Sequence, residues 1–259
     1  MARIRDPAVA GMFYPKRKEE LIALLEELHN HAEKYVKKYK ELIKAVIAPH
    51  AGYIYSGIVA SATYQTLKAN SAIKNHYTLI GPSHYFGFYD VAGSTYEMWR
   101  TPLGLVPVQN LLDLPPFDNA FAHEHSLEVQ LPFLQYYFNE FSIFPVLTGK
   151  ITNIKNIADK FNSIIANTTF IVSSDLSHYY PYDTAVQIDE NTINHILNLD
   201  LEGFEKEGNA CGKEGIKIIL KLAIENNWEP DLILYQNSGD TSGSKENVVG
   251  YAGIVFLQK

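Results

Sequence analysis

Short runs rich in β-branched residues recur along this chain, each halted by Pro, Gly or Ser: KAVIAP, YTLIGP, FSIFPVLTG and TTFIVSSD. Runs of this kind read as strands buried on both faces, which a half-solvated sheet does not tolerate. DLILYQNSGD and GYAGIVFLQ close the chain in the same manner. Between the runs lie apolar stripes at helical spacing. Ile154, Ile157, Ala158, Phe161, Ile164 and Ile165 form one, and Ile216, Ile219, Leu220, Ala223 and Ile224 another. A third, with Leu21, Leu24, Leu25 and Leu28, predicts an amphipathic helix within Lys18 to Lys44 that feeds directly into KAVIAP. Strands alternating with helices predict an α/β fold, a largely parallel sheet covered on both sides. VAGSTYEMWRTPLGLVPV breaks the rhythm with two alternating runs about a Thr-Pro-Leu-Gly turn, which predicts a hairpin or an antiparallel edge.

No Ser/Gly/Pro-rich tract, repeat or charge block divides the 259 residues, so one continuous domain over 1–259 is expected. With 29 acidic and 22 basic residues the net charge is −7, which opposes binding to a phosphate backbone and argues against nucleic acid as a partner. The single cysteine, Cys211, allows no internal disulfide and suits a reducing compartment. No run approaches the roughly 20 apolar residues of a membrane span. The N-terminus MARIRDPAVAGMFYP has no signal-peptide pattern, so a cytoplasmic protein without membrane association is expected.

In open α/β sheets, ligands bind beyond the carboxyl ends of the strands. KAVIAP delivers His50 there, YTLIGP delivers His84, and TTFIVS delivers Asp175 and His178. One such histidine is ordinarily a turn cap or a partner of a backbone carbonyl. Three at the ends of three strands, beside Gly and Pro that permit close approach, point instead to a shared site. Cys211, in GNACGKEG just ahead of a helical stripe, is expected near a helix N-terminus that favours thiolate; a buried small hydrophobe is the bland alternative. Two imidazoles and an anion, either Cys211 or Asp175, make a site for one transition-metal ion; a thiolate would favour copper(I), zinc or ferrous iron. His178 is then available for proton transfer, with Asp175 orienting it.

HEHSLEVQLPFL lacks the H-E-x-x-H spacing of a zinc protease helix. Ser126 reads as a helix cap, and His125 and Glu128, three apart, as residues lining the pocket. Phe13, Tyr14, Tyr53 and Tyr55 are the aromatic candidates beside it. Ser174, Asp175 and His178 lie too close in sequence, without G-x-S-x-G, for a serine hydrolase. NSGDTSGS lacks the Walker lysine and reads as a turn before the last strand.

The ordered motifs AGMFYP, IAPHAGYIYSG, LIGPSHY, WRTPLG, EHSLEVQLPFL, VSSDLSHY, NACG and GYAGI resemble those of the Memo family, also named AmmeMemoRadiSam system protein B. That family is similar in fold to class III extradiol dioxygenases, which implies a single-domain α/β/α sandwich around a parallel or mixed sheet. The resemblance implies His50, His84 and Cys211 as ligands of one metal ion, iron or copper before zinc, with His178 and Asp175 as catalytic groups. It thus implies redox or dioxygenase-related chemistry, as of a metal-dependent oxidoreductase, on a small substrate. The dioxygenases have a carboxylate as third ligand where this chain has cysteine. The rival expectation is a non-catalytic module that binds a small molecule or peptide in the same pocket. The family's name alone implies association with a radical SAM protein.

Overall fold

The structure is a computed structural model, and it describes residues 2–70 and 75–259. Its strands are β1 (Ile4–Arg5), β2 (Leu42–Ala48), β3 (His76–Pro82), β4 (Val91–Ala92), β5 (Met98–Thr101), β6 (Gly104–Pro107), β7 (Ser142–Thr148), β8 (Thr169–Ser173), β9 (His178–Tyr180), β10 (Trp228–Asn237) and β11 (Val248–Gln258). Its helices are α1 (Lys18–Ala32), α2 (Tyr53–Asn70), α3 (Asp118–Ala122), α4 (Leu131–Tyr137), α5 (Ile154–Asn162), α6 (Tyr182–Leu197), α7 (Leu201–Glu207), α8 (Lys213–Asn226) and α9 (Ser238–Ser242).

The main sheet runs β10-β11-β2-β8-β3-β7-β4, with β9 added against β11. Its centre, β2-β8-β3-β7, is parallel, as the β-branched runs predict; β10, β11 and β4 are antiparallel. Alternate residues of one strand face opposite layers. Val46 and Ala48 of β2 and Val255 of β11 pack under α1, α2 and α4, whereas Ala45, Ile47, Ile254 and Phe256 pack under α5, α6 and α8. Both faces of the sheet are therefore dry, and the α/β/α sandwich follows. No helix among the described residues is long and apolar enough to cross a membrane.

Three local outcomes differ from expectation. The first helix ends at Ala32 with a 3₁₀ turn over Glu33–Tyr35, well short of Lys44. Its leucine stripe runs out there, and Lys37 and Tyr39 turn instead to Asp231 of β10, with Nζ and the hydroxyl at 2.9 and 2.7 Å from Oδ2. The hairpin forms as β5 and β6, but with β1 it makes a separate three-stranded sheet, and β4 alone is the antiparallel edge on β7. NSGDTSGS begins as the short helix α9, because the Asn237 side chain and Asp240 close a reciprocal cap.

The helix after β2 packs on one face of the sheet and the α6 helix, reached after β8, on the other. Neighbouring strands that send their connections to opposite faces leave a crevice at their carboxyl ends. His50 and Asp175 stand at that crevice.

Candidate metal centre

A cavity of about 690 Å³ opens at these strand ends, and His50, His84, His125, Asp175 and His178 all line it. The imidazole rings of His50, His84 and His125 lie with centroids 4.7 to 5.5 Å apart. One nitrogen from each falls within 4.8 Å of the others, the only such group of three His, Cys, Asp or Glu among the described residues.

Hydrogen bonds assign the tautomers. Ser173 Oγ donates its one proton to the Ser126 carbonyl at 2.5 Å and accepts from Gln130 Nε2 at 2.7 Å. It can therefore only accept from His50 Nδ1, 2.9 Å away, so His50 carries its proton on Nδ1 and a free lone pair on Nε2. His84 reaches the same state by another route. Its Nδ1 lies 2.8 Å from Glu124 Oε1, and its backbone N–H donates to Oε2 at 2.6 Å. Burial alone would raise the Glu124 pKa, but the hydrogen bonds and charge of His84 and the Ser126 N–H outweigh it and hold the group at about 2. A carboxylate only accepts, so Nδ1 of His84 is the donor, and in the neutral ring the lone pair lies on Nε2.

His125 completes the group. Its backbone N–H and that of Ser126 donate to Glu124 Oε1, both at 2.9 Å, while its Nδ1 is buried and makes no hydrogen bond. That nitrogen lies 3.4 Å from Glu124 Oε1, and one nitrogen of the ring falls within 4.8 Å of nitrogens of His50 and His84, a grouping an ion or ligand would satisfy. Burial lowers the pKa of His50 and of His125, which keeps both neutral and able to coordinate at pH 7.

Cys211 stands at the edge of this group. Its sulfur is 3.2 Å from His50 Nε2 and accepts from the Asp175 N–H at 3.1 Å. Donors at about 2.0 Å for nitrogen and 2.3 Å for sulfur around a tetrahedral ion stand about 3.5 Å apart, so this contact fits two ligands of one ion. The expected helix-end thiolate is not what the free protein holds. Burial, and then the Asp175 carboxyl, push the thiol pKa up, and the first helical residue of α8 is Lys213, two residues on. A bound cation would reverse that balance.

Asp175 does not orient His178. Its Oδ1 accepts the His50 backbone N–H at 2.7 Å, while His178 Nδ1 donates to the Leu176 carbonyl at 2.8 Å. Burial pushes the Asp175 pKa up to about 7 against the N–H groups of His50 and Ala51.

The pocket expectations divide. Phe13 lines the cavity with its ring 4.8 Å from His125, and Tyr55 is also in the wall. Glu128 and Tyr14 lie behind it. Glu128 is fully buried and accepts from Arg5 Nη1, the Ala8 and Val9 N–H groups and the Tyr14 hydroxyl, at 2.6 to 3.0 Å, so its oxygens are already committed. Tyr53 likewise donates to the Val129 carbonyl at 2.7 Å. Ser126 caps nothing: its hydroxyl reaches the Pro82 carbonyl at 3.1 Å, and the chain starts its helix with a 3₁₀ turn over Glu128–Gln130. Sequence reasoning missed Ser173, Gln130 and the role of Glu124, all polar residues in apolar surroundings whose partners are about 40 or more positions away. Their signal was burial pattern alone, a polar residue where the strand or helix faces the core.

A model of the family described as Memo-like protein matches residues 5–255. A MEMO1 family protein of Pyrobaculum aerophilum is 37% identical over 282 residues, covering 99% of this chain and 100% of the relative. MEMO1 family proteins of Methanosarcina barkeri and Aquifex aeolicus are each 35% identical, covering 97% and 98% of this chain and 99% and 100% of the relatives.

Proposed function

The chain belongs to the Memo family, and we propose that its crevice holds one transition-metal ion on His50, His84 and Cys211, with His125 against the same space, for redox or dioxygenase-related chemistry on a small organic molecule. The observation that carries this reading is the pair of Nδ1 protons: Ser173 and Glu124 hold those of His50 and His84, so in the neutral rings both lone pairs sit on Nε2, that of His50 3.2 Å from the Cys211 sulfur, whose thiol proton an ion would displace. Imidazole and sulfur donors select iron, copper or zinc over magnesium or calcium.

A bound ion of this class supplies Lewis acidity and, as iron or copper, electron transfer. The residues around it do the rest. His178, its Nδ1 proton held by the Leu176 carbonyl, presents a neutral Nε2 that accepts a proton from a bound molecule. Asp175 binds the His50 backbone and, with a pKa near neutrality, holds or releases a proton beside Cys211. Glu124 fixes His84 and balances charge.

Two experiments test the ligand assignment. Cobalt(II) loaded anaerobically should show a sulfur-to-metal charge-transfer band that Cys211→Ser abolishes, with metal affinity falling about tenfold or more. A wild-type cobalt spectrum without that band assigns the third position to His125 and removes Cys211. In Glu124→Gln, loss of the charged acceptor behind His84 should weaken metal binding by about 10- to 100-fold in a calorimetric titration. An unchanged affinity would mean that His84 is not a ligand.

A further inference from the structure

The outer half of the cavity differs in chemistry from its floor. Met12, Tyr55 and Tyr179 stand around the opening, 72%, 39% and 73% exposed, and Val249 and Tyr251 continue the wall inward. Isolated exposed apolar side chains are ordinary, but several converging on one cavity mark a binding surface. No lysine or arginine is among the described residues that line it.

Tyr179 is held there at a backbone cost. Its φ is 63°, in the left-handed region that a bulky residue rarely occupies. The flanking residues are pinned to β11, His178 opposite Val249 and Tyr180 opposite Val248, with a register shift between the two pairs. Pairing on both sides thus fixes the strained residue. Strain of this sort persists where the surroundings over-determine it, and it gathers at ligand-binding positions. The Tyr179 ring stands 5.7 Å from that of His178, so the tyrosine at the mouth adjoins the imidazole inside.

Charge narrows the occupant further. The chain carries −7 overall, Asp175 lines the cavity, and Glu124 is buried behind His84. If an ion is bound, the Glu124 carboxylate and a Cys211 thiolate together offset a divalent charge, leaving no surplus for an anionic ligand. Phosphate, sulfonate or carboxylate groups would meet aromatic faces, the Asp175 carboxyl and imidazoles of which burial keeps His50, His125 and His178 neutral, with no lysine or arginine to receive them.

We propose that this cavity takes an uncharged, flat, ring-bearing small molecule, held at the mouth between Tyr179, Tyr55 and Met12. The proposal rests on the cavity being the working site, and it assigns Tyr179 as a specificity-determining residue. Flat faces are matched by the tyrosine rings, an offset or edge contact worth more than area alone.

The test uses two fluorescent probes sharing one ring scaffold, neutral N-phenyl-1-naphthylamine and anionic 8-anilino-1-naphthalenesulfonate, titrated into the metal-free and zinc-loaded protein. The neutral probe should bind once per chain, about tenfold more tightly than the sulfonate. Tyr179→Ala should weaken the neutral probe by about fivefold or more and Tyr179→Phe by less than about twofold, with zinc uptake unchanged in both. Tyr179 is exposed, so both variants are expected to fold, which circular dichroism checks. Equal or tighter binding of the sulfonate, or a Tyr179→Ala protein that binds the neutral probe as wild type does, overturns the proposal. Zinc uptake with no probe preference overturns the ligand class alone, whereas a preserved preference in a protein that takes up no metal overturns the metal reading alone.

Discussion

Replacing His84 with alanine is expected to lower the affinity for zinc, cobalt or ferrous ion by about 100-fold or more, since loss of a ligand exceeds the 10- to 100-fold cost of losing the group behind one. His84 is the cleaner choice of the two proposed imidazole ligands. Its side chain is 30% exposed, on a loop past β3, so truncation leaves little cavity. His50 is almost wholly buried, and its removal would also orphan Ser173. The measurement is an anaerobic calorimetric titration, with the thermal transition of the metal-free protein as the control for folding. A His84→Ala protein that binds these ions as tightly as wild type would remove His84 from the ligand set. A second consequence separates ligand loss from general damage: Glu124 loses its strongest stabilising partner in the variant and its pKa rises from about 2 toward the ordinary range. The carboxyl titration of Glu124, followed by NMR, should show that rise even with no metal present.

Glu128→Ala is expected to destabilise the fold by about 3–5 kcal/mol, the usual cost of leaving a buried ion-pair partner uncompensated. Arg5 is 1% exposed, and its guanidinium lies 4.3 Å from the Trp99 ring with Glu128 as its buried counter-ion. Arg5 also donates Nε to the Phe121 carbonyl at 2.8 Å and Nη2 to the Glu124 carbonyl. Removing the carboxylate therefore strands a cation and releases three other donors, the Ala8 and Val9 amides and the Tyr14 hydroxyl. The expected result is a urea midpoint displaced by that amount of free energy with the slope unchanged. A loss below about 1 kcal/mol would mean that water reaches Arg5 and that the N-terminal segment is not anchored as described. Because that segment carries Met12 and Phe13 into the cavity wall, the stability effect and the site are coupled through one carboxylate.

Much of this arrangement was legible in the residues themselves. KAVIAP, YTLIGP, FSIFPVLTG and TTFIVSSD are β2, β3, β7 and β8, the four parallel strands, because a strand covered on both faces needs an unbroken apolar run. The stripes at Ile154 and Ile216 are α5 and α8 for the matching reason. His50, His84, Asp175 and His178 were expected at one edge, and all four line one cavity. His125, expected only in the wall, stands in the tightest imidazole group, while Cys211 touches that group through His50. Glu128, three residues after His125, is expected on the same face, yet the helical turn begins only at Glu128 and His125 precedes it, so the two share no helix face and Glu128 goes to Arg5.

The division has a physical origin. Periodicity is a local property, set by the 3.6- and 2-residue repeats of helix and strand, so the layers, the strand ends and the histidines carried there can be read along the chain. Which nitrogen of each ring bears the proton depends on Ser173, Gln130 and Glu124, brought from 40 to 123 positions away. Such contacts are settled by the packing of distant segments, because a hydrogen bond between them leaves no periodic trace in either one.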